Sequence, residues 1–217
     1  VQIESEINKL RLTAIQSQMN PHFIFNSING IQKSVLKSDR KSAYRHINKF
    51  AKLVRIILNH SNQEVVSLSD EVELLELYLE LEKMRFTDQF DFSLDVEADE
   101  QLQIPPMLVQ PFVENAVIHG LFRKKGEKEL KVKIEQGDVL RISISDNGIG
   151  RAASQEINKE RNKTLEESFA TSAVERRMTS LNRKYKTDIF GFEYFDLHDK
   201  DGNPEGTKVI ITLLSIQ

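Results

Sequence analysis

The chain has 217 residues, of which 39% are hydrophobic and 29% charged, with 9 Gly and 5 Pro; collagen-like, low-complexity and wholly disordered chains are thereby excluded, and one or two packed domains are expected. The absence of Cys removes disulfide scaffolds, thiolate nucleophiles and cysteine metal sites together, and makes a reducing cytoplasm the expected compartment. The net charge of -3 conceals an asymmetry, because residues 1–61 carry 10 Lys/Arg against 3 Asp/Glu whereas the remainder carries 20 against 30.

That contrast points to two units of different character. The basic part has no interleaved aromatics and no base-reading motif, so no nucleic acid is expected as partner. The most apolar stretch, Ile104 to Val117, is interrupted by Pro105, Pro106, Gln110, Pro111, Glu114 and Asn115, so no membrane contact is expected of this fragment. The start at Val1 and the lack of a secretory signal pattern suggest an excised piece of a longer protein.

In chain order, Leu12, Ile15 and Met19, then Ile24, Ile28, Ile31 and Val35, recur at helical spacing. A break near Ser38-Asp39 precedes a second helix with the stripe Ala43, Ile47, Phe50, Val54 and Ile57. Two such helices cannot enclose a core alone and would best bury their stripes against a second copy, as a four-helix dimer through residues 1–60. Ser67 and Asp70 read as a capping box opening a helix to about Phe86, with Leu68, Val72, Leu75 and Leu79 as its stripe.

After that the period becomes 2. Phe90, Phe92, Leu94 and Val96 predict a strand, and Leu130 to Ile134 with Leu140 to Ile144 predict a hairpin around Gln136-Gly137-Asp138. A helix is expected from the Pro106 to Leu108 region, and a polar, glycine-free stretch, Arg151 to Ser168, reads as a mobile lid. An amphipathic helix to about Tyr185 and strands at Phe190 to Phe195 and Lys208 to Leu214 complete the chain. The expected fold is α+β: a helical hairpin, residues 1–61, followed by an α/β sandwich, residues 62–217.

Three segments can carry chemistry. In Asn20-Pro21-His22-Phe23-Ile24-Phe25-Asn26 a proline inside a helical pattern predicts a kink just before a histidine. Phe23 can fill the seam and leave the His22 imidazole reachable as a nucleophile; a packed histidine beside a structural kink is the alternative. In Glu114-Asn115-Ala116-Val117-Ile118-His119-Gly120, Asn115 and His119 share a helical face, and the carboxamide is either a ligand-binding group or a structural hydrogen-bonder. In Asp146-Asn147-Gly148-Ile149-Gly150, a strand ends in a carboxylate that can accept from an adenine amino group, followed by glycines that admit close backbone approach; a plain turn would look the same.

Taken together, these segments resemble the cytoplasmic part of LytS-type sensor histidine kinases, whose ATP-binding domain is of the GHKL type shared with gyrase, heat-shock chaperones and mismatch-repair ATPases. The resemblance is carried by the Asn20 to Asn26 core, Tyr78 to Phe86, Ile104-Pro105-Pro106, Gln110 to Ala116 with His119-Gly120, Asp146 to Gly150, and Gly206-Thr207. It implies that His22 is the phosphoacceptor, that Asn115 coordinates a Mg2+ bridging the ATP phosphates, and that Asp146 binds the adenine amino group. Gly148, Gly150, Gly206 and Thr207 would close around the nucleotide, His119 and Glu114 would lie near the phosphates, Glu114 would orient His22 or take its ring proton, and Asn26 would position water for dephosphorylation.

It further implies a homodimer, transfer to an aspartate of a response regulator receiver domain, and a whole protein in the bacterial inner membrane. One position departs from the pattern: Ala170 stands where such kinases carry a lid glycine. The rival readings are a catalytically silent adaptor of the same fold, which Ala170 favours, and a hydrolytic ATPase in which His22 is structural.

Overall fold

Ser38 and Asp39 end one helix and open the next. In the computed structural model, which describes residues 21–61, 63–86, 89–160, 179, 182–183 and 190–214, α1 spans Pro21–Leu36 and α2 spans Arg40–His60. Ser38 adopts a left-handed φ of 58°, and the Asp39 carboxylate accepts the Ser42 amide at 2.9 Å, satisfying a donor that the new helix leaves free. The break thus falls where the sequence placed it. The helix expected upstream, with Leu12, Ile15 and Met19, and the kink at Pro21 lie outside the described residues.

The chain forms two compact units, the described residues of Val1–Asp88 with Ile104–Met107, and those of Gln89–Gln103 with Leu108–Gln217. The sequence pattern divides the chain at residue 61, ahead of α3 (Leu68–Phe86), whereas this helix groups with α1 and α2. Its composition explains why. Leu68, Leu74, Leu75, Leu77, Tyr78, Leu79 and Leu81 are all buried, so α3 is apolar around most of its circumference and supplies the core that a lone hairpin lacks. The Tyr78 ring lies 4.9 Å from that of Phe23, and Lys49–Glu80 and Lys52–Glu73 ion pairs join α2 to α3. The expected capping box is present, with Asp70 N donating to Ser67 Oγ at 3.1 Å and Ser67 N to the Asp70 carboxylate at 3.4 Å.

Two buried carboxylates in α3 were not legible in the stripe. Glu71 accepts the Met107 amide at 2.8 Å. Glu82 accepts from Arg85 at 2.8 and 3.1 Å, yet burial still pushes its carboxyl up to about 7.

Small residues of α1 meet the buried His46 of α2: a Cβ on Gly30 would stand 3.5 Å from His46 Nε2, and Ser34 Oγ lies 3.5 Å from His46 Nδ1. Of the apolar stripe expected on α1, Ile24 and Ile31 are half-buried while Ile28 (42%) and Val35 (58%) are exposed in the single chain, and on α2 Ala43 and Ile57 are buried and Ile47 is exposed.

The second unit is built on strands β2 (Phe90–Glu97), β4 (Lys128–Gln136), β5 (Leu140–Asp146), β6 (Phe190–His198) and β7 (Pro204–Leu213). They form one mixed five-stranded sheet in the order β2-β4-β5-β7-β6. Two-residue strands β1 (Val66–Ser67) and β3 (Gln103–Ile104) stand apart from it. β2 runs parallel to β4, and every other pairing is antiparallel. The β4–β5 hairpin and both C-terminal strands appear where the period-2 pattern put them.

Inward residues Leu130, Val132, Ile134, Leu140, Ile142, Ile144, Val209, Ile211 and Leu213 are buried on one face. That face carries α4 (Gln110–Asn115), which continues as a π-helical turn over Ala116–Leu121, and α5 (Arg151–Glu160). Phe112 of α4 meets Phe192 of β6 edge-on at 5.3 Å. The expected helix therefore begins at Gln110 rather than near Pro106, because Met107 takes a left-handed φ of 53° and its amide is held by Glu71.

Candidate functional site

A row of aliphatic side chains along β5 ends in a carboxylate. Leu140, Ile142, Ile144 and Asp146 alternate onto the covered face, where Asp146 is only 5% exposed, flanked in register by Leu130 of β4 and Thr207 of β7. Burial pushes its carboxyl up to about 6, against the opposing pull of the Gly148 and Thr207 amides and of Lys124. The Gly148 amide donates to Asp146 Oδ1 at 2.8 Å.

Two backbone segments crowd this carboxylate, and a third crowds the Asp146 backbone, so closely that side chains are excluded. A Cβ on Gly120 would come to 2.6 Å from Asp146 Oδ1, and one on Gly148 to 2.5 Å from the same oxygen and from the Gly120 carbonyl carbon. Gly206 has φ 133°, and a Cβ there would fall 1.9 Å from the Asp146 carbonyl oxygen.

The π turn brings Gly120 into place. Its five-residue bond, Phe122 N to Val117 O at 2.8 Å, widens the helix by one residue, and the Gly120 carbonyl accepts the Ile149 amide at 3.3 Å. Sequence reasoning placed His119-Gly120 in a plain helix and gave Gly120 no role; a glycine inside an apolar helical run was the available signal.

Asn115 ends α4 and His119 lies in the π turn, four residues on, and both are half-buried. Burial, seconded by Arg123, lowers the His119 imidazole below its ordinary value, favouring the neutral ring. Glu114 is half-buried and its Oε1 accepts from Gln110 Nε2 at 2.8 Å. Gly150, at φ 77°, opens α5, and Arg151 clamps both oxygens of Asp196 at 2.8 and 3.0 Å while lying 5.1 Å over the Tyr194 ring. Residues 151–160 are thus helical where a lid without regular structure was expected. Ala170 and the rest of that lid lie outside the described residues, as does most of the helix expected to follow it.

Two further side chains shape the turn. Asn147 Oδ1 accepts the Glu129 amide at 2.8 Å, and Lys124 Nζ donates to the Asn147 carbonyl. Asn147 sat within a segment already singled out; Lys124, in a run of basic residues, gave no signal.

The structure therefore brings Asp146, Gly148, Gly150, Gly206 and Thr207 together in the sheet unit, with Glu114, Asn115 and His119 on the helix and π turn packed against the same sheet. His22 and Asn26 belong to the helical unit, in the first two turns of α1. The exposure expected of the His22 ring lies outside the described residues, and Asn26 is half-buried.

The residue types suit an adenine nucleotide, a buried acceptor framed by glycine backbone. Among the described residues no group of three or more His, Cys, Asp or Glu could hold a metal, and the Asn115 carboxamide oxygen is a hard donor of the kind a Mg2+ would accept beside phosphate and water.

Replacing Asp146 by Asn separates fold from ligand. The folded-state value of about 6 stands above the ordinary 3.8, so the folded protein holds the proton more tightly. This contribution to stability is complete below about pH 4 and is lost as the pH rises through about 6. Asp146→Asn is expected to raise the unfolding free energy at pH 7 by about 1–3 kcal/mol and to flatten the decline between pH 4 and 6. If Asp146 accepts from an adenine amino group, as the resemblance implies, ATP affinity falls roughly 10- to 100-fold in this variant, because that acceptor is weakened. Urea unfolding at pH 4.5 and 7 with nucleotide titration checks both halves.

Residues 10–90 match the family described as histidine kinase. The chain is similar to the sensor protein LytS of Streptococcus agalactiae, with 33% identity over 187 residues, 84% of this chain and 31% of that one. It is also similar to the sensor histidine kinase YpdA of Escherichia coli, with 31% identity over 150 residues, 69% of this chain and 26% of that one. The chain belongs to the LytS-type sensor histidine kinases. It spans between about a quarter and a third of the length of these curated relatives. Among solved structures, the histidine kinase AdeS of Acinetobacter baumannii aligns with 98% of this chain and 95% of its own at 14% identity and a TM-score of 0.47.

Proposed function

We propose that this chain is the ATP-dependent catalytic core of a two-component sensor kinase, which phosphorylates its own His22 and then passes the phosphoryl group to an aspartate on a response regulator receiver domain. The observation that carries this reading is the buried Asp146 carboxylate framed by the backbones of Gly120 and Gly148, with Gly206 against the Asp146 main chain, in a chain of this family.

Asp146 accepts from the adenine amino group, and the glycine backbones at 148, 150 and 206, with Thr207, admit the nucleotide. Asn115 offers its carboxamide oxygen, and neutral His119 a ring nitrogen, on the phosphate side. Mg2+, when bound, neutralises charge developing on the phosphates.

In the transfer, a lone pair on a His22 ring nitrogen forms the bond to the γ-phosphorus. The bond from that phosphorus to the β–γ bridging oxygen breaks, and ADP leaves with the electron pair. The proton on the other ring nitrogen passes to the Glu114 carboxylate. Asn26, one helical turn from His22, orients water for the reverse removal of phosphate.

The exposed apolar side chains of the hairpin, Phe25, Ile28, Val35, Tyr44 and Ile47, support pairing with a second copy through residues 1–60. No helix among the described residues is long and apolar enough to cross a membrane. We assign this fragment to the cytoplasm and the sensing part of the whole protein to the bacterial inner membrane.

Incubation with γ-labelled ATP and Mg2+ tests the proposal. Acid-labile, base-stable label on the protein is the expected result. Phosphate release without label would make the chain an ATPase, and neither label nor nucleotide binding would make it an adaptor.

A further inference from the structure

Gln110 is the first residue of α4 and is 3% exposed. A carboxamide in that position brings two donors and an acceptor out of water, each of which needs a partner. One donor is used, from Nε2 to Glu114 Oε1 at 2.8 Å, across the four-residue spacing that places both side chains on one helical face. The acceptor is not: Gln110 Oε1 is buried without a hydrogen-bond partner among the described residues.

An unpaired buried amide oxygen weakens a fold, and a methionine or leucine of similar volume would remove that cost. Stability therefore does not explain glutamine here. What glutamine does that methionine cannot is hold the Glu114 carboxylate. A half-buried glutamate that loses such an amide loses one of the contacts that fix its carboxylate.

We propose that Gln110 is a positioning residue for phosphoryl transfer: its amide fixes the Glu114 carboxylate in the rotamer from which it engages the acceptor imidazole. The inference rests on the role given to Glu114 above. Gln110 touches neither nucleotide nor acceptor in this scheme and acts through Glu114 alone. Its removal should slow the transfer step and leave nucleotide binding intact, because Asp146 and the glycine backbones are untouched.

The test uses the full chain and four variants, Gln110→Met, Gln110→Leu, Glu114→Gln and the double variant Gln110→Met with Glu114→Gln. Phosphohistidine formation at saturating MgATP, nucleotide affinity by titration and Tm are measured for each. Gln110→Met is expected to keep or raise Tm, to bind nucleotide within twofold of the parent, and to form phosphohistidine roughly 10- to 100-fold more slowly, the loss expected for one hydrogen bond to a charged group. The double variant is expected to be no slower than Glu114→Gln, since Gln110 acts only through that carboxylate.

A parental rate in both Gln110 variants overturns the inference, as does a double variant slowed by the product of the single effects. A fall in Tm together with nucleotide affinity in both Gln110 variants assigns the glutamine to the fold and likewise overturns it. If Glu114→Gln alone keeps the parental rate, it is the role of Glu114 that fails, and the inference falls with it.

Discussion

His22→Gln is expected to abolish phosphorylation of the chain by ATP, with label below detection, while nucleotide affinity stays within twofold of the parent. Glutamine is as good a helix former as the first turn of α1 requires and is polar like histidine, so the helix is retained. Its amide nitrogen is not a nucleophile, because its lone pair is delocalised into the carbonyl, whereas a neutral imidazole offers a free pair at pH 7. Asp146, Asn115 and the glycine backbones belong to the other compact unit, so nucleotide binding should not sense the change. Label measured after acid and base treatment, with a titration of nucleotide binding, checks both arms. Label of parental intensity on His22→Gln would remove this residue as acceptor, whatever the nucleotide site does.

Gly206→Ala is expected to do the opposite, destroying nucleotide binding and much of the stability together. An alanine Cβ would sit 1.9 Å from the Asp146 carbonyl oxygen and 2.9 Å from Asn147 Cα, both of them backbone, so no side chain can swing aside. Either β7 separates from β5 at the Asp146↔Thr207 pair or the 146–150 turn is displaced. In both cases the carboxylate leaves the position that the Gly148 amide defines. A loss of about 3–5 kcal/mol is expected, lowering Tm by roughly 6–20 °C, with nucleotide affinity reduced at least about 100-fold.

Gly202 is the control for backbone conformation alone. It has φ 82°, but a Cβ added there would meet nothing within 4 Å, so Gly202→Ala incurs only the left-handed penalty of about 1–2 kcal/mol and keeps its nucleotide. Thermal unfolding and nucleotide titration of the pair check the contrast; equal behaviour of the two variants would mean that close approach at Gly206 is not what the site depends on.

Where local chemistry dictated the outcome, the sequence was legible. The capping box at Ser67 and Asp70, the hairpin around Gly137 and the period-2 strands each rest on neighbours within a few residues, and each is present. The position of Asp146 at the end of an inward row also follows from alternation along β5.

What could not be read depends on partners distant in the chain. The lateness of the helix start at Gln110 follows from the Met107 amide bonding to Glu71, 36 residues away. The allegiance of α3 to the helical unit follows from the burial of side chains on several of its faces, which a single stripe of Leu68, Val72, Leu75 and Leu79 does not announce. The π turn has no sequence period of its own, so nothing in the sequence separates Gly120 from an ordinary helical glycine; its close approach to Asp146 does. Gln110 lay inside a segment singled out for other residues, and only its burial with an unused oxygen sets it apart.

Where His46 of α2 meets α1, its ring lies against Gly30 and Ser34. Large interdigitated side chains act as cogs and fix axial alignment; hydroxyls and hydrogen atoms are shallow and resist sliding weakly. Sliding α1 along α2 by a fraction of a turn would carry Gly30 and Ser34 past the His46 ring, so a bulkier side chain at Gly30 would obstruct that movement at this crossing.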